Sequence, residues 1–463
     1  MNERRRSLLG MALLGAVEPL FAAPPSTGGT PGIPAAARQA LDAELAAIAN
    51  DPAMQLASLS VLAIRGGQPV YEQAFGRRYI GKESGSALSD RPATPDTLYR
   101  IASISKMMTT LGLMRLVEQG RADLDADVST YLGYSVRNPH FPLRPVTLRN
   151  LLTHTSSLRD DAGYSWQLPV SLKDVLAPGG ALYGEGKMWS DRAGPGEYFA
   201  YCNLAWGVIG TVMERISGER FDLLMDRLLF QPLGIQAGYS PAGLAPAALD
   251  NLATLYRKRT VDTEIWNAAG PWIPQVDDYS ARPPALPVGS ATATPGSNAT
   301  PFSPTGGLRI SAPAMGVVMR MLMNGGVHGN TRLFQRATLE RMFARQWTHD
   351  GGSSNGGNGD TLNGLYRAWG LGNQHFPDQP GMALVEGGGF EAVGHLGEAY
   401  GLRSVFAADL VRGNGMVVLT GGSSADPELQ AGRHSALARF EERILGALHR
   451  HALVINVAQR AAT

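Results

Sequence analysis

Apolar positions along the chain fall into two patterns, and the two occupy different regions. From Ile104 onward, Met107, Met108, Leu111, Met114 and Val117 recur every three or four residues, which predicts a helix that Gly120 stops. Similar spacing predicts helices over 37–50 (Leu41, Leu45, Ile48), 204–216 (Val208, Ile209, Val212, Ile216), 312–323 and 434–451. A shorter one follows Thr147, whose hydroxyl suits a helix start. Shorter apolar runs at 56–64 and 70–75, separated by Gly66-Gly67, read as a β-hairpin. Further runs at 368–372, 394–397, 402–409 and 416–419 read as strands, with 412–415 turning the last pair. Strands at both ends around a helical middle predict an α+β fold of the α/β-sandwich kind. One antiparallel sheet, built from about 56–76 and 368–420, would be flanked by helices and joined to a mainly helical lobe over about 100–300.

Two stretches interrupt the pattern. Residues 271–304 carry eight prolines among Ala, Ser, Thr and Gly, which predicts a long loop without regular structure, suited to form a wall of a substrate cleft. Residues 351–359 are glycine-rich but lack the lysine and strand context of a phosphate cradle.

Composition narrows the function classes. The chain has 463 residues, 44% of them apolar, which is ample for a large core. Its 41 Lys plus Arg balance 40 Asp plus Glu and are spread along the sequence, which argues against a nucleic-acid groove or a polybasic membrane patch. The single cysteine, Cys202, excludes an intrachain disulfide and reads as a small buried residue. At the amino terminus, Arg4-Arg5-Arg6 precede the apolar run Leu8 to Val17, and Ala22-Ala23 precede a Pro/Gly/Ser/Thr-rich stretch. This layout predicts an export signal over 1–23, of twin-arginine type, a flexible linker over 24–36 and a folded domain over 37–455 carried to the periplasm. The apolar run is too short to give the mature chain a membrane span.

Candidate chemistry concentrates at Ser103-Ile104-Ser105-Lys106. Lysine is scarce here, occurring only at 82, 106, 173, 187 and 258, and only Lys106 has a serine three residues before it. On a helix Ser103 and Lys106 share a face, which sets a hydroxyl beside an amine at a helix entrance rich in free N–H groups. Tyr201-Cys202-Asn203 sits in a turn entering the 204–216 helix. A serine nucleophile needs a base within hydrogen-bond reach, and Lys106 and Tyr201 both qualify chemically. Either one acting near neutral pH needs its pKa lowered by roughly 3, about 4 kcal/mol. The expectation is that Tyr201 is the base and the relay to the leaving group, with Lys106 as its electrostatic partner; the reverse assignment stays open. His154 has no neighbour at metal spacing and is expected to be a hydrogen-bonded structural histidine.

In order along the chain, Ser103-Ile104-Ser105-Lys106, Tyr201-Cys202-Asn203 and His395-Leu396-Gly397 resemble the SxxK, YxN and KTG/HxG motifs of the serine β-lactamase and penicillin-binding family. The branch most similar is that of class C lactamases, D,D-peptidases and family VIII esterases. Supporting stretches are Leu151 to Ser156, Pro195-Gly196-Glu197, Gly306-Gly307-Leu308 and Trp369 to Gly372. The resemblance implies a β-lactamase/transpeptidase-like fold and a serine hydrolase acting through a covalent acyl-enzyme on Ser103, without cofactor or metal. Its substrate would be a small ester, amide or D-peptide. Asn203 would orient Lys106 or the substrate, and the backbone N–H groups of Ser103 and of Glu398, the residue after Gly397, would form the oxyanion hole.

Departures from the family pattern shape the expected substrate. Leu396 lacks the hydroxyl that helps hold a lactam carboxylate, and His395 replaces lysine, so a cation there is expected only below about pH 6.5. Ser157 stands where relatives often have glycine. The ranking expected is therefore esterase, then D-amino-acid peptidase, then β-lactamase, with Arg403 as the residue able to supply a permanent cation in place of His395. A stalled acylating sensor and a transacylase are the alternatives.

Overall fold

The computed structural model describes residues 32–81, 89–352 and 356–454. The expected export signal and most of the expected linker lie outside the described residues.

Helix α1, Ala35–Ala49, buries Leu41, Leu45 and Ile48 as their spacing predicts. Strands β1 (Ser58–Arg65) and β2 (Gln68–Tyr79) follow. Between them Gly66 and Gly67 take φ of +56° and +76°, the left-handed pair that a two-residue hairpin turn requires. Helix α2, Ile104–Glu118, is succeeded by Gly120 at φ +69°. Helix α3, Leu148–Leu152, is capped by Thr147 and Asn150 reciprocally, each accepting the other's backbone N–H. Helices α4 (Leu204–Ser217) and α5 (Ala312–Met323) match their predicted ranges closely. The carboxyl-terminal part contributes β3 (Gln374–Phe376), β4 (Ala392–Ala399), β5 (Leu402–Asp409), β6 (Asn414–Thr420) and helix α6 (Arg439–Leu448).

These strands form one nine-stranded antiparallel sheet in the order 347–348, 368–369, β3, β4, β5, β6, β1, β2, 91–92. β1 is inserted beside β6, with Val61 opposite Val418, so the two ends of the chain close one sheet. Successive side chains of a strand point to opposite faces, and here both faces are covered. Leu62, Ile64, Phe406, Ala408, Val417 and Leu419 pack into the core containing α2, α4 and α5. Val61, Ala63, Val405, Ala407, Met416 and Val418 pack on the other side with α1 and α6. Burial on both faces is why these strands read as near-continuous apolar runs.

Several expectations are corrected. The proline-rich stretch is not wholly irregular: Trp272–Val276 pairs with Leu255–Lys258, placing Pro274 on the edge strand of a small sheet. The strand expected over 368–372 ends at Trp369, because Gly370 to Gly372 turn back, with Gly372 at φ +65°. Helix α6 starts at Arg439, later than expected, since the backbone N–H groups of Arg433, His434 and Ser435 wrap around the Glu442 carboxylate. Among the described residues no helix is long and apolar enough to cross a membrane.

Candidate active site

The chain enters α2 through a short strand, Tyr99–Arg100, and a residue under strain. Ala102 takes φ +45°, an uncommon conformation for a residue with a Cβ, and Ser103 follows as the N-cap without using its side chain to cap. Its hydroxyl is therefore free for other partners, and its backbone N–H stands at the positive end of the helix.

One turn on, Lys106 is fully buried. Its Nζ is 3.0 Å from Ser103 Oγ, 2.8 Å from Asn203 Oδ1 and 3.0 Å from the Thr305 carbonyl oxygen. The two carbonyl-type acceptors decide the orientation of the amine. A neutral Lys106 donates its two protons to them and aims its lone pair at Ser103; a charged one donates to all three. Burial is the larger influence and pulls its pKa down to about 7, against the attraction of Asp160, which opposes the shift.

Asn203 is itself held in one orientation. Its Oδ1 accepts from Lys106 and from Thr305 Oγ1 (2.9 Å), and its Nδ2 donates to Asp160 Oδ2 at 2.8 Å. Asp160 also accepts from the backbone N–H groups of Asn203 and Leu204, so its charge faces the amino-terminal end of α4.

Tyr201 lies between two rings, stacked on His154 at 4.3 Å and on Tyr366 at 5.1 Å between centroids. Its ring is 4.9 Å from Lys106 Nζ, and its hydroxyl lies close enough to Ser103 for the two to interact. Burial, reinforced by Tyr366, pushes the phenol well above its ordinary range, with Ser103 opposing. The expectation of a Tyr201 phenolate beside an ammonium is thereby reversed: the phenol stays neutral, and Lys106 is the group able to lose its proton near neutral pH. His154 is buried, as expected of a structural residue. Its Nδ1 accepts from the Cys202 N–H at 3.0 Å, and burial with the Lys106 charge keeps it uncharged.

β4 brings the third motif alongside. A Cβ on Gly397 would overlap Ile101 O and Ser404 Oγ, so only glycine lets this backbone approach the segment that precedes Ser103. β3 pairs with β4 no further than Gly394, which leaves the edge from His395 to Glu398 facing the cleft. His395 Nδ1 lies 2.6 Å from the Leu396 carbonyl, and burial, then Lys106, lowers its pKa to about 3. The expected cation below about pH 6.5 is absent for that reason. Arg403 is not a free substitute either, since it pairs with Glu398 at 2.8 Å.

Ser103, Tyr201, Asn203, His395, Leu396, Gly397, Glu398 and Arg403 all line one cavity of about 520 Å³, and Lys106 bonds to two of them from beneath. Sequence reasoning missed Asp160, the Thr305 carbonyl and Tyr366. Thr305 adjoins the Gly306-Gly307-Leu308 stretch already singled out; Asp160 and Tyr366 carry no spacing signal. Ser157 takes φ +62°, a left-handed conformation that glycine adopts more readily than serine. Among the described residues no group of three or more His, Cys, Asp or Glu is placed to hold a metal ion.

The chain is 30% identical over 186 residues to the D-alanyl-D-alanine-carboxypeptidase/endopeptidase AmpH of Escherichia coli K12, covering 40% of this chain and 46% of that one. It is 30% identical over 211 residues to the esterase EstB of Burkholderia gladioli, covering 39% and 46%. It thus spans under half the length of these relatives. In fold it is similar to the D-amino acid amidase of Ochrobactrum anthropi SV3, with a TM-score of 0.60 at 18% identity over 89% of this chain and 99% of that one. The family model described as Beta-lactamase matches residues 45–439, nearly the whole sheet and helical lobe, and the chain belongs to that family.

Proposed function

We propose that the protein is a serine acyl hydrolase that works through a covalent acyl-enzyme on Ser103, with neutral Lys106 as the base. The observation that carries this reading is the placement of Lys106 Nζ, 3.0 Å from Ser103 Oγ, between two acceptors that take its protons. As Ser103 Oγ attacks the substrate carbonyl carbon, its proton passes to Lys106 and the carbonyl π-electrons move to oxygen. The resulting oxyanion would be held by the N–H groups of Ser103 and Glu398. Tyr201, neutral and beside Ser103, passes the Lys106 proton to the leaving group as the carbonyl re-forms, which returns Lys106 to its neutral form; Lys106 then takes a proton from the deacylating water as that water attacks the acyl carbon, and gives it to Ser103 Oγ as the acid product departs.

Small esters and D-amino-acid amides or peptides are the proposed substrates, ahead of β-lactams. In support, Leu396 offers no hydroxyl, His395 no charge, and Arg403 is engaged by Glu398. The amino-terminal arginines and apolar run support an exported, periplasmic protein. A panel of esters, D-alanyl peptides and cephalosporins, with intact-mass detection and peptide mapping of the adduct, tests the reading. An acyl group on Ser103 is expected; an adduct on any other residue, or none with any substrate, refutes it.

A further inference from the structure

Beside the cleft that holds Ser103 lies a second cavity, of about 590 Å³, whose lining includes Arg159, Asp161, Arg192 and Tyr198 but neither Ser103 nor Glu398. Tyr201, Leu362 and Tyr366 line both cavities and so stand between them. Leu362 is the outer edge of this partition: it is 53% exposed and takes φ +44°, with Asn363 after it at +55°. Two successive side-chain-bearing residues in the left-handed region are costly. The loop is held in that shape by Asp360 Oδ1, which accepts the Leu362 N–H at 2.9 Å, and by the Thr361 carbonyl, which accepts the Tyr366 N–H at 2.9 Å. An apolar side chain is thus propped up between two hollows.

The two cavities differ in chemistry. Leu365, Leu396, Tyr400 and Leu437 give the first an apolar side suited to an acyl chain. The second is polar, and its charges are already engaged. Arg159 pairs with Asp161 at 2.5 Å, and Arg192 lies over the Tyr198 ring at 4.3 Å while donating to its hydroxyl at 3.2 Å. Asp160 accepts from the Asn203 side chain and from two backbone N–H groups at the start of α4. So paired, these groups call for no ion of either sign. A neutral molecule rich in hydroxyls would meet planar donors and acceptors there, with tyrosine rings for its C–H faces.

We propose that the second cavity is the leaving-group compartment and takes a polyhydroxylated alcohol of sugar type, so that the preferred ester is an acylated carbohydrate. Tyr201 assigns the side. The group that passes a proton to the leaving alcohol lines this cavity, whereas Ser103 and Glu398, the residues assigned to the carbonyl, line only the other. As the ester C–O bond breaks, the sugar oxygen takes its proton from Tyr201, which takes that of Lys106, and the alcohol departs on its own side of Leu362 while the acyl group stays on Ser103 in the first cavity. This rests on the reading of Ser103 as nucleophile and Tyr201 as relay, and adds to it the chemistry of the alcohol.

Three butanoate esters of primary alcohols test it, with acid release followed by pH-stat: methyl 6-O-butanoyl-α-D-glucopyranoside, cyclohexylmethyl butanoate, which fills a similar volume without hydroxyls, and ethyl butanoate, which leaves the second cavity empty. In the unmodified protein the sugar ester should exceed ethyl butanoate in kcat/KM by about 10- to 30-fold, the gain from two ordinary hydrogen bonds, and should exceed the cyclohexylmethyl ester as well. Ala193 lines only the second cavity, so Ala193→Trp puts an indole into it and the ratio of sugar to ethyl ester should fall to one or below. Arg192→Ala, which removes a donor but leaves room, should lower the ratio about 3- to 10-fold and serves if the tryptophan variant does not fold. Ratios are read within each variant, so general damage to the site cancels. The proposal is overturned by a sugar ester no better than ethyl butanoate, by a cyclohexylmethyl ester better than the sugar ester, or by a sugar preference that survives Ala193→Trp, or Arg192→Ala in its place. Should no ester turn over, the Ser103 reading fails and the cavity is judged by saturation-transfer NMR with methyl α-D-glucopyranoside. Binding is expected in Ser103→Ala and should vanish when Ala193→Trp is added; no binding, or binding that persists in the double variant, overturns the sugar assignment.

Discussion

If Lys106 is the base, its titration should set the acid limb of the pH profile. An ordinary lysine, at 10.5, is almost wholly charged at pH 7; here the value is about 7. The difference amounts to about 5 kcal/mol against the charged form, at 1.36 kcal/mol per decade, net of the attraction from Asp160. Only the neutral amine can accept the Ser103 proton. With a pKa of about 7 its neutral fraction is about a tenth at pH 6 and about nine-tenths at pH 8, so kcat/KM should rise about 10-fold between them and then level. Initial rates on 4-nitrophenyl butyrate, read at the isosbestic wavelength of the product, would trace the limb. His395, with a pKa of about 3, and His154, held uncharged by burial, do not titrate in that range. Glu441 does, at about 7, so the profile must be repeated in Glu441→Gln, where the midpoint should stay. Replacing Lys106 by Arg, which does not deprotonate, should lower turnover by about 10³-fold or more. A flat profile, a midpoint near 10, or a limb that disappears with Glu441→Gln would refute the assignment of Lys106 as base.

Three further outcomes are expected. Ser103→Ala should fold and lose about 10³-fold or more of turnover, whereas Ser105, whose Oγ accepts the Leu308 N–H at 3.1 Å, should prove structural: Ser105→Ala should still form the acyl adduct by intact mass. Gly397→Ala forces β4 away from Ile101 and Ser404, so it should cut kcat by about 10²-fold or more through loss of an oxyanion donor; near-normal kcat would show that Glu398 N–H is not one. His375 is buried and its pKa falls from 6.5 to about 4, so its contribution to stability is complete above pH 6.5 and is lost as pH drops toward 4. Urea unfolding at pH 7.5 and 4.5 should show His375→Gln losing about 2.5 kcal/mol less than the unmodified protein, and an equal loss in both would contradict this.

Much of the site was legible because its chemistry is local in the chain. Ser103 and Lys106 are one helical turn apart, so a helix alone makes them neighbours, and Asn203 is placed by the start of α4. The sheet was legible too, because β1, β5 and β6 are buried on both faces and leave long apolar runs. Strands of two or three residues, such as 347–348 and β3, are too short to show a period, and the pairing of Trp272–Val276 is masked by its proline-rich composition.

What the sequence determined by itself was the inventory: a serine, a lysine, a tyrosine and an asparagine in motif order, on an α+β chain. Which of them holds the proton was decided only by the tertiary structure, because protonation depends on groups far apart in sequence. Lys106 is desolvated by α4 and by the segment reaching Thr305, and Tyr201 is enclosed by His154 and Tyr366. Burial disfavours the charged form of each, and the charged form of a phenol is its basic one while that of an amine is not. The same enclosure therefore lowers the pKa of the amine, making it available as a base, and raises that of the phenol, keeping it neutral.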